Sequence, residues 1–286
     1  MRENMINLRS LIFGLILCML FISHVKADLL ISPTRVVFDE RARSKQIVLI
    51  NSGSKTMTYR LGWDQKKALT SGGYADLTAE ELSQFPVASD MLRFSPKQVS
   101  LKPGEKQIVK IAVRKPKDLE NGEYRSHLLF KALPNPKRQE GTHNAMSLSL
   151  NVRMSYSMPV MIREGKETST VDISEYSFDY SPESHRGKVS VVLNKSGEKS
   201  TFGNVLAYWS NSNNGQKSMI ARVNSHSIYA ETQRSEVDLV WLDNPFTLSD
   251  GILTVVYEGE SEYRGQTFTT QQFNVSKENI STFALN

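Results

Sequence analysis

From Met146 to Met158 the chain reads Met-Ser-Leu-Ser-Leu-Asn-Val-Arg-Met-Ser-Tyr-Ser-Met, with every even position apolar and every odd position polar. Period-two alternation puts all the apolar side chains on one face of an extended chain. At ~3.3 Å per residue such a strand runs ~43 Å, against a usual strand length of roughly 5–6 residues. Pro159 follows the run and is expected to end it, at a sheet edge where a missing amide donor is tolerated. A long alternating edge strand aggregates unless another chain is meant to pair with it.

The start of the chain does not read as fold. Arg2 and Arg9 supply a basic start before an apolar run over 11–22, and Val25-Lys26-Ala27 supplies a cleavage-site pattern. Residues 1–27 are therefore expected to be a secretory signal peptide. The run is shorter than the ~20 residues a spanning helix needs, and no second apolar span follows, so no membrane span is expected in the mature chain. Cys18 is the only cysteine, which leaves an exported protein that relies on hydrophobic cores rather than disulfides. Removing the leader lowers the formal net charge from +5 by two. No block of like charge remains, and nucleic acid is not an expected partner.

Confident segments read as strand throughout. In the first half they cover 29–38, 46–51, 57–63, 99–101, 107–113 and 123–133, besides the long run, and turn signals such as Pro103-Gly104 separate them. Short strands with regular turns predict an antiparallel sandwich of immunoglobulin type. Residues 64–93 interrupt the pattern as an insertion, in which Thr78-Ala-Glu-Glu-Leu has the form of a capped helical turn. The second half predicts strands at 171–180, 188–193, 205–209, 219–223, 237–242, 253–257 and 268–275. The polar stretch 163–168 reads as a linker, with the boundary near Gly165. The expected organisation is a first domain over 28–163 and a second over 168–286, all-β, each an immunoglobulin-like sandwich.

Signatures of catalysis are absent: no nucleophile elbow, zinc-protease helix, phosphate loop or dinucleotide glycine pattern occurs. His127, His143, His185 and His226 lack metal-ligand spacing. Neither enzyme activity nor a metal or other cofactor is expected. Two arginines stand out by position. Arg35 lies within the first strand, and Arg153 is the only charge in the long run. Each reads either as a solvated strand residue or as half of a pair meeting a carboxylate in a cleft between the domains. Guanidinium suits the second use, because it holds carboxylate oxygens bidentately and stays charged.

Several motifs fall in a characteristic order. They are Thr34-Arg35-Val36-Val37-Phe38, Asn51-Ser-Gly53, and Pro96-x-x-Val99-x-Leu101-x-Pro103-Gly104-x-x-Gln107. Asn121-Gly-Glu-Tyr-Arg-Ser126 follows, and then Arg153 six residues before Pro159. Together they resemble the periplasmic pilus-assembly chaperones of the bacterial chaperone–usher pathway. The resemblance implies a boomerang of two immunoglobulin-like domains that binds pilus or fimbrial subunits lacking their last strand. The chaperone would lend its own strand, with Met146, Leu148, Leu150 and Val152 as the inserted row, and deliver the subunit to an outer-membrane usher. It also implies a basic pair, Arg35 and Arg153, that anchors the subunit's C-terminal carboxylate. Met158 stands where the family carries an arginine that braces the domains, so that brace must come from elsewhere. The unpaired edge predicts self-association of the free protein. The competing reading is a secreted two-domain adhesin or carbohydrate-binding module, which would concentrate exposed aromatics in its loops. Tyr74, Trp209 and Tyr263 are dispersed instead.

Overall fold

A computed structural model describes residues 29–39, 41–134, 153–166, 168–211, 215, 217–242, 246 and 248–282. The chain opens with β1 (Leu29–Ser32), β2 (Val36–Phe38), β3 (Ser44–Asn51) and β4 (Met57–Asp64). A small hairpin, β5 (Lys66–Ala68) and β6 (Tyr74–Asp76), leads into helix α1 (Ala79–Gln84). Then come β7 (Leu92–Ser95), β8 (Gln98–Leu101), β9 (Lys106–Val113), β10 (Gly122–Ala132) and β11 (Tyr156–Glu164). One sheet has the order β1-β3-β9-β7 and the other β2-β11-β10-β4-β8.

Alternation builds the core between these two sheets. In β3 Ile47 and Leu49 point inward, and in β9 Val109, Ile111 and Val113 do so. They meet Phe38, Tyr59, Leu128, Phe130 and Ile162 from the opposite sheet. Each fully buried aliphatic or aromatic side chain contributes about 1.5–3 kcal/mol.

The expected single strand over 29–38 is in fact two. The chain breaks at Ser32-Pro33, where β1 pairs antiparallel with β3 while β2 crosses to the other sheet and pairs parallel with β11. Proline cannot donate to a ladder, so the crossing falls where no donor is needed. Pro159 also differs from expectation. It does not end the long strand but lies inside β11, opposite His127 of β10, with no register shift. The parallel pairing with β2 starts one residue later, at Val160. The insertion does contain the capped turn: Thr78 accepts from the Glu81 amide, and the Glu81 side chain accepts from the Thr78 amide.

The second sandwich comprises β12 (Thr170–Ser181), β13 (Arg186–Ser196), β14 (Thr201–Asn211) and β15 (Lys217–Ile228). β16 (Arg234–Trp241), β17 (Gly251–Gly259), β18 (Thr267–Val275) and β19 (Ser281–Thr282) complete it. Hydrogen bonding runs β18-β17-β14-β15-β16-β13-β12-β19. Only Ala221↔Trp241 and Arg222↔Val240 join β15 to β16, so the sheet folds over there into two layers. Phe178, Tyr180, Trp209, Trp241 and Phe246 fill the space between the layers, with Phe178 edge-on to Trp209 at 5.6 Å.

Candidate functional site

β11 has β10 along its whole length on one side. On its other side β2 covers only Val160, Met161 and Ile162. Tyr156 to Pro159 therefore present a rim with no pairing strand among the described residues. The chain enters this rim through Arg153 and Met154, both exposed, the latter 55%. The row Met146, Leu148, Leu150 and Val152 lies outside the described residues.

Arg35 and Arg153 are not brought together. Arg35 precedes Val36, the partner of Val160, which sets Arg35 beside Pro159. Arg153 lies six residues further along, about 20 Å of extended chain. Arg35 is buried, 6% exposed. It reaches Glu262 at 3.1 Å, donates to the Ser227 hydroxyl at 3.3 Å and lies 4.1 Å over the Phe202 ring. All three partners belong to the second sandwich, so Arg35 stands in the junction between domains and already holds a carboxylate.

Met158 takes no part in bracing that junction, being buried in the first core at 2% exposure. The brace is Arg163, at the end of β11. Its Nε donates to Glu123 Oε2 at 2.8 Å, and its Nη2 donates to the Ser200 carbonyl at 3.2 Å and hydroxyl at 3.0 Å. Glu262 lies 3.3 Å from the same Nη2. Glu123 Oε2 also accepts from the Ser200 hydroxyl at 2.8 Å. Burial works against the Arg163 charge, but Glu123, with Tyr263 and Glu262, outweighs it and holds the guanidinium above its ordinary range.

A second tie lies further along β10. Arg125 binds Glu231 with both terminal nitrogens, donates to the Lys66 carbonyl at 3.0 Å and lies 4.0 Å over the Tyr229 ring. Burial alone would raise the Glu231 carboxyl, yet the Arg125 bonds and the Ala68 amide hold it below the usual carboxylate range. His127, 1% exposed, has no hydrogen-bond partner at either ring nitrogen among the described residues. Burial, reinforced by Arg125 and Lys66, pushes its imidazole down to about 3. A groove of about 940 Å³ borders this tie, lined by Phe85, Pro86, Tyr124 and Arg125 from one domain and Glu198 and Glu231 from the other.

Sequence reasoning found Arg35 but missed Glu123, Arg125, His127 and Arg163 as junction residues. Alternation along β10 marks 123, 125 and 127 as the face turned from the first core, which normally means solvent. The second domain covers that face instead. Among the described residues no group of His, Cys, Asp or Glu could hold a metal ion, and no helix is long and apolar enough to cross a membrane.

No curated protein matches the sequence significantly. Among solved structures, the Pseudomonas aeruginosa CupB2 chaperone is similar at 13% identity and a TM-score of 0.42, over 86% of this chain and 100% of its own. The SafB chaperone, solved with the Salmonella enterica SafA pilin, gives 12% and 0.43, over 88% and 99%. The YadV chaperone gives 12% and 0.43, over 87% and 100%. The family described as pili and flagellar-assembly chaperone, PapD N-terminal domain, matches residues 28–163. Residues 28–163 are thereby an N-terminal domain of the pilus-assembly chaperone type, and the proteins matched are chaperones, which are not enzymes.

Proposed function

We propose that this protein is a periplasmic chaperone that captures pilus or fimbrial subunits by lending them a strand and passes them to an outer-membrane usher. The observation that supports this most directly is the rim of β11 from Tyr156 to Pro159, which has a strand on one side only. An extended rim gives main-chain hydrogen bonds to any guest strand, while alternate side chains enter the guest's pockets. Met146, Leu148, Leu150 and Val152 precede that rim in the same alternating register and form the inserted row. Burying four such side chains contributes roughly 6–12 kcal/mol before ordering costs.

Arg35 is the proposed anchor for the subunit's C-terminal carboxylate, for which Glu262 is the resident stand-in. Arg153 is exposed at the entry to the rim, where it contacts the same guest chain at a second point. The test is capture of subunits co-expressed in the periplasm and scored by protease resistance. Leu148→Asp should abolish protection while Ser149→Asp leaves most of it, since in a strand of that alternating sequence the two positions would belong to opposite faces. Arg35→Ala should mimic amidation of the subunit's C-terminus. Equal effects at 148 and 149 would remove the strand-lending reading.

A further inference from the structure

The β5–β6 hairpin has no role in the first domain's sandwich. It forms a two-stranded sheet by itself, with three residues in each strand, and none of its strand residues is fully buried. An isolated hairpin of that size is marginal in water. Gly72 and Gly73, both at positive φ, form its tip, where glycine lowers the cost of bending but raises the entropy lost on ordering.

Much of what holds the hairpin lies in the other domain. The Ala68 amide donates to Glu231 at 2.8 Å, and the Glu236 amide donates to the Thr70 carbonyl at 3.1 Å. The Tyr74 and Tyr229 hydroxyls are hydrogen-bonded at 2.7 Å, and the Tyr74 ring is edge-on to His127 at 4.9 Å. From the first domain Arg125 reaches up to the Lys66 carbonyl while gripping Glu231. Within its own domain the hairpin is tied by ion pairs of Lys66 with Asp64 and Lys67 with Glu81, while its contacts at the junction end on Arg125, His127 or the Tyr229–Glu236 segment.

The closed arrangement also carries a cost. Arg125 Nε and both nitrogens of His127 are buried with no hydrogen-bond partner among the described residues. Buried unsatisfied polar groups favour any alternative in which water reaches them. A small, weakly self-supporting element therefore closes over an under-satisfied polar junction. Such an element opens locally before the cores do.

We propose that the β5–β6 hairpin is a latch: it pins the second sandwich over Arg125 and His127, and its release opens the junction to an incoming subunit. This rests on the chaperone reading above, and it assigns the insertion a gating role that the strand-lending edge does not supply.

The latch can be tested without a subunit. Arg125 is its reporter, because phenylglyoxal modifies guanidinium groups that reach solvent and mass spectrometry locates the adduct. Thr70 and Glu236 are joined by a main-chain hydrogen bond, near enough for an engineered disulfide. Cys18 is the only cysteine in the sequence, so no thiol of the described fold competes. Oxidised Thr70→Cys/Glu236→Cys protein should label at Arg125 about tenfold more slowly than wild type and recover on reduction. Tyr74→Phe, which keeps the ring and removes the hydroxyl, should label faster; it guards against misfolding of the cysteine pair. Unchanged labelling in both overturns the latch. Slowed labelling with undiminished subunit capture by the locked protein overturns the gating role. Failure of wild type itself to capture a subunit overturns the chaperone reading instead, while the labelling rates still report on the latch.

Discussion

Arg163 and Glu123 face each other across the β10–β11 ladder, with Nε 2.8 Å from Oε2, and both also bind Ser200 of the second sandwich. One cross-strand ion pair of the first domain is thereby the socket for the second. Glu123 is almost wholly buried and Arg163 nearly so. Breaking a buried pair by removing one partner leaves an uncompensated charge and costs about 3–5 kcal/mol. Arg163→Met and Glu123→Gln should each lower stability by that order. Urea unfolding followed by tryptophan fluorescence checks this: Trp63 reports the first core and Trp209 the second. The two transitions should separate in the variants, since one of the ties that couple the domains is gone.

Acid should loosen the protein earlier than its carboxylates alone would. His127 takes a proton only near 3 when folded, because of burial and then Arg125 and Lys66, against about 6.5 unfolded. His226, pushed down by burial to about 4, behaves alike. Between those values the unfolded chain binds protons that the folded chain does not. Stability is therefore undiminished above pH 6.5 and falls below it, by about 1.4 kcal/mol per pH unit for each histidine. Glu231 adds a further loss at lower pH, as its depressed carboxyl is finally protonated. Urea midpoints at pH 5 and pH 7 measure the slope, and His127→Gln should make it shallower by one proton.

Gly203 in β14 has no room for a side chain. A Cβ built there meets the Glu258 carbonyl oxygen at 1.9 Å, and that atom is fixed by the β14–β17 ladder. Gly203→Ala should cost about 3 kcal/mol, at the upper end of overpacking, and thermal unfolding measures it. Gly62→Ala, where nothing lies within 4 Å, is the control and should change little.

Thr78→Ala removes the hydroxyl that caps α1. The expected loss is about 1 kcal/mol, confined to the insertion. Hydrogen exchange should quicken at the Leu82 and Phe85 amides, which bond to Thr78 and Glu81, without a shift in the global midpoint.

Much of the architecture was legible in the residues. Alternation over 107–113 marked a strand because one of its faces is wet, and Thr78 with Glu81 announced its own cap. Errors arose where two surfaces share one strand. Residues 123, 125 and 127 carry charge or imidazole in alternation, the pattern of an outer face, yet a second domain lies on them. Periodicity reports which side of a strand is apolar but not what covers the other side. Arg163 was hidden for a related reason: Pro159 read as the end of the strand, and the polar stretch 163–168 that opens with Arg163 read as a linker. The break at Ser32-Pro33 was equally silent, because both halves of 29–38 are apolar enough for a single strand.

The shortness of β2 has a consequence for any strand that would pair with β11. A guest chain lengthening along that rim would be halted where Val36 meets Val160, since residues 160–162 already have a strand on each side. The stop would be a steric wall rather than a recognition motif. Guests of unrelated sequence would come to rest at the same position, their register measured by the host's backbone.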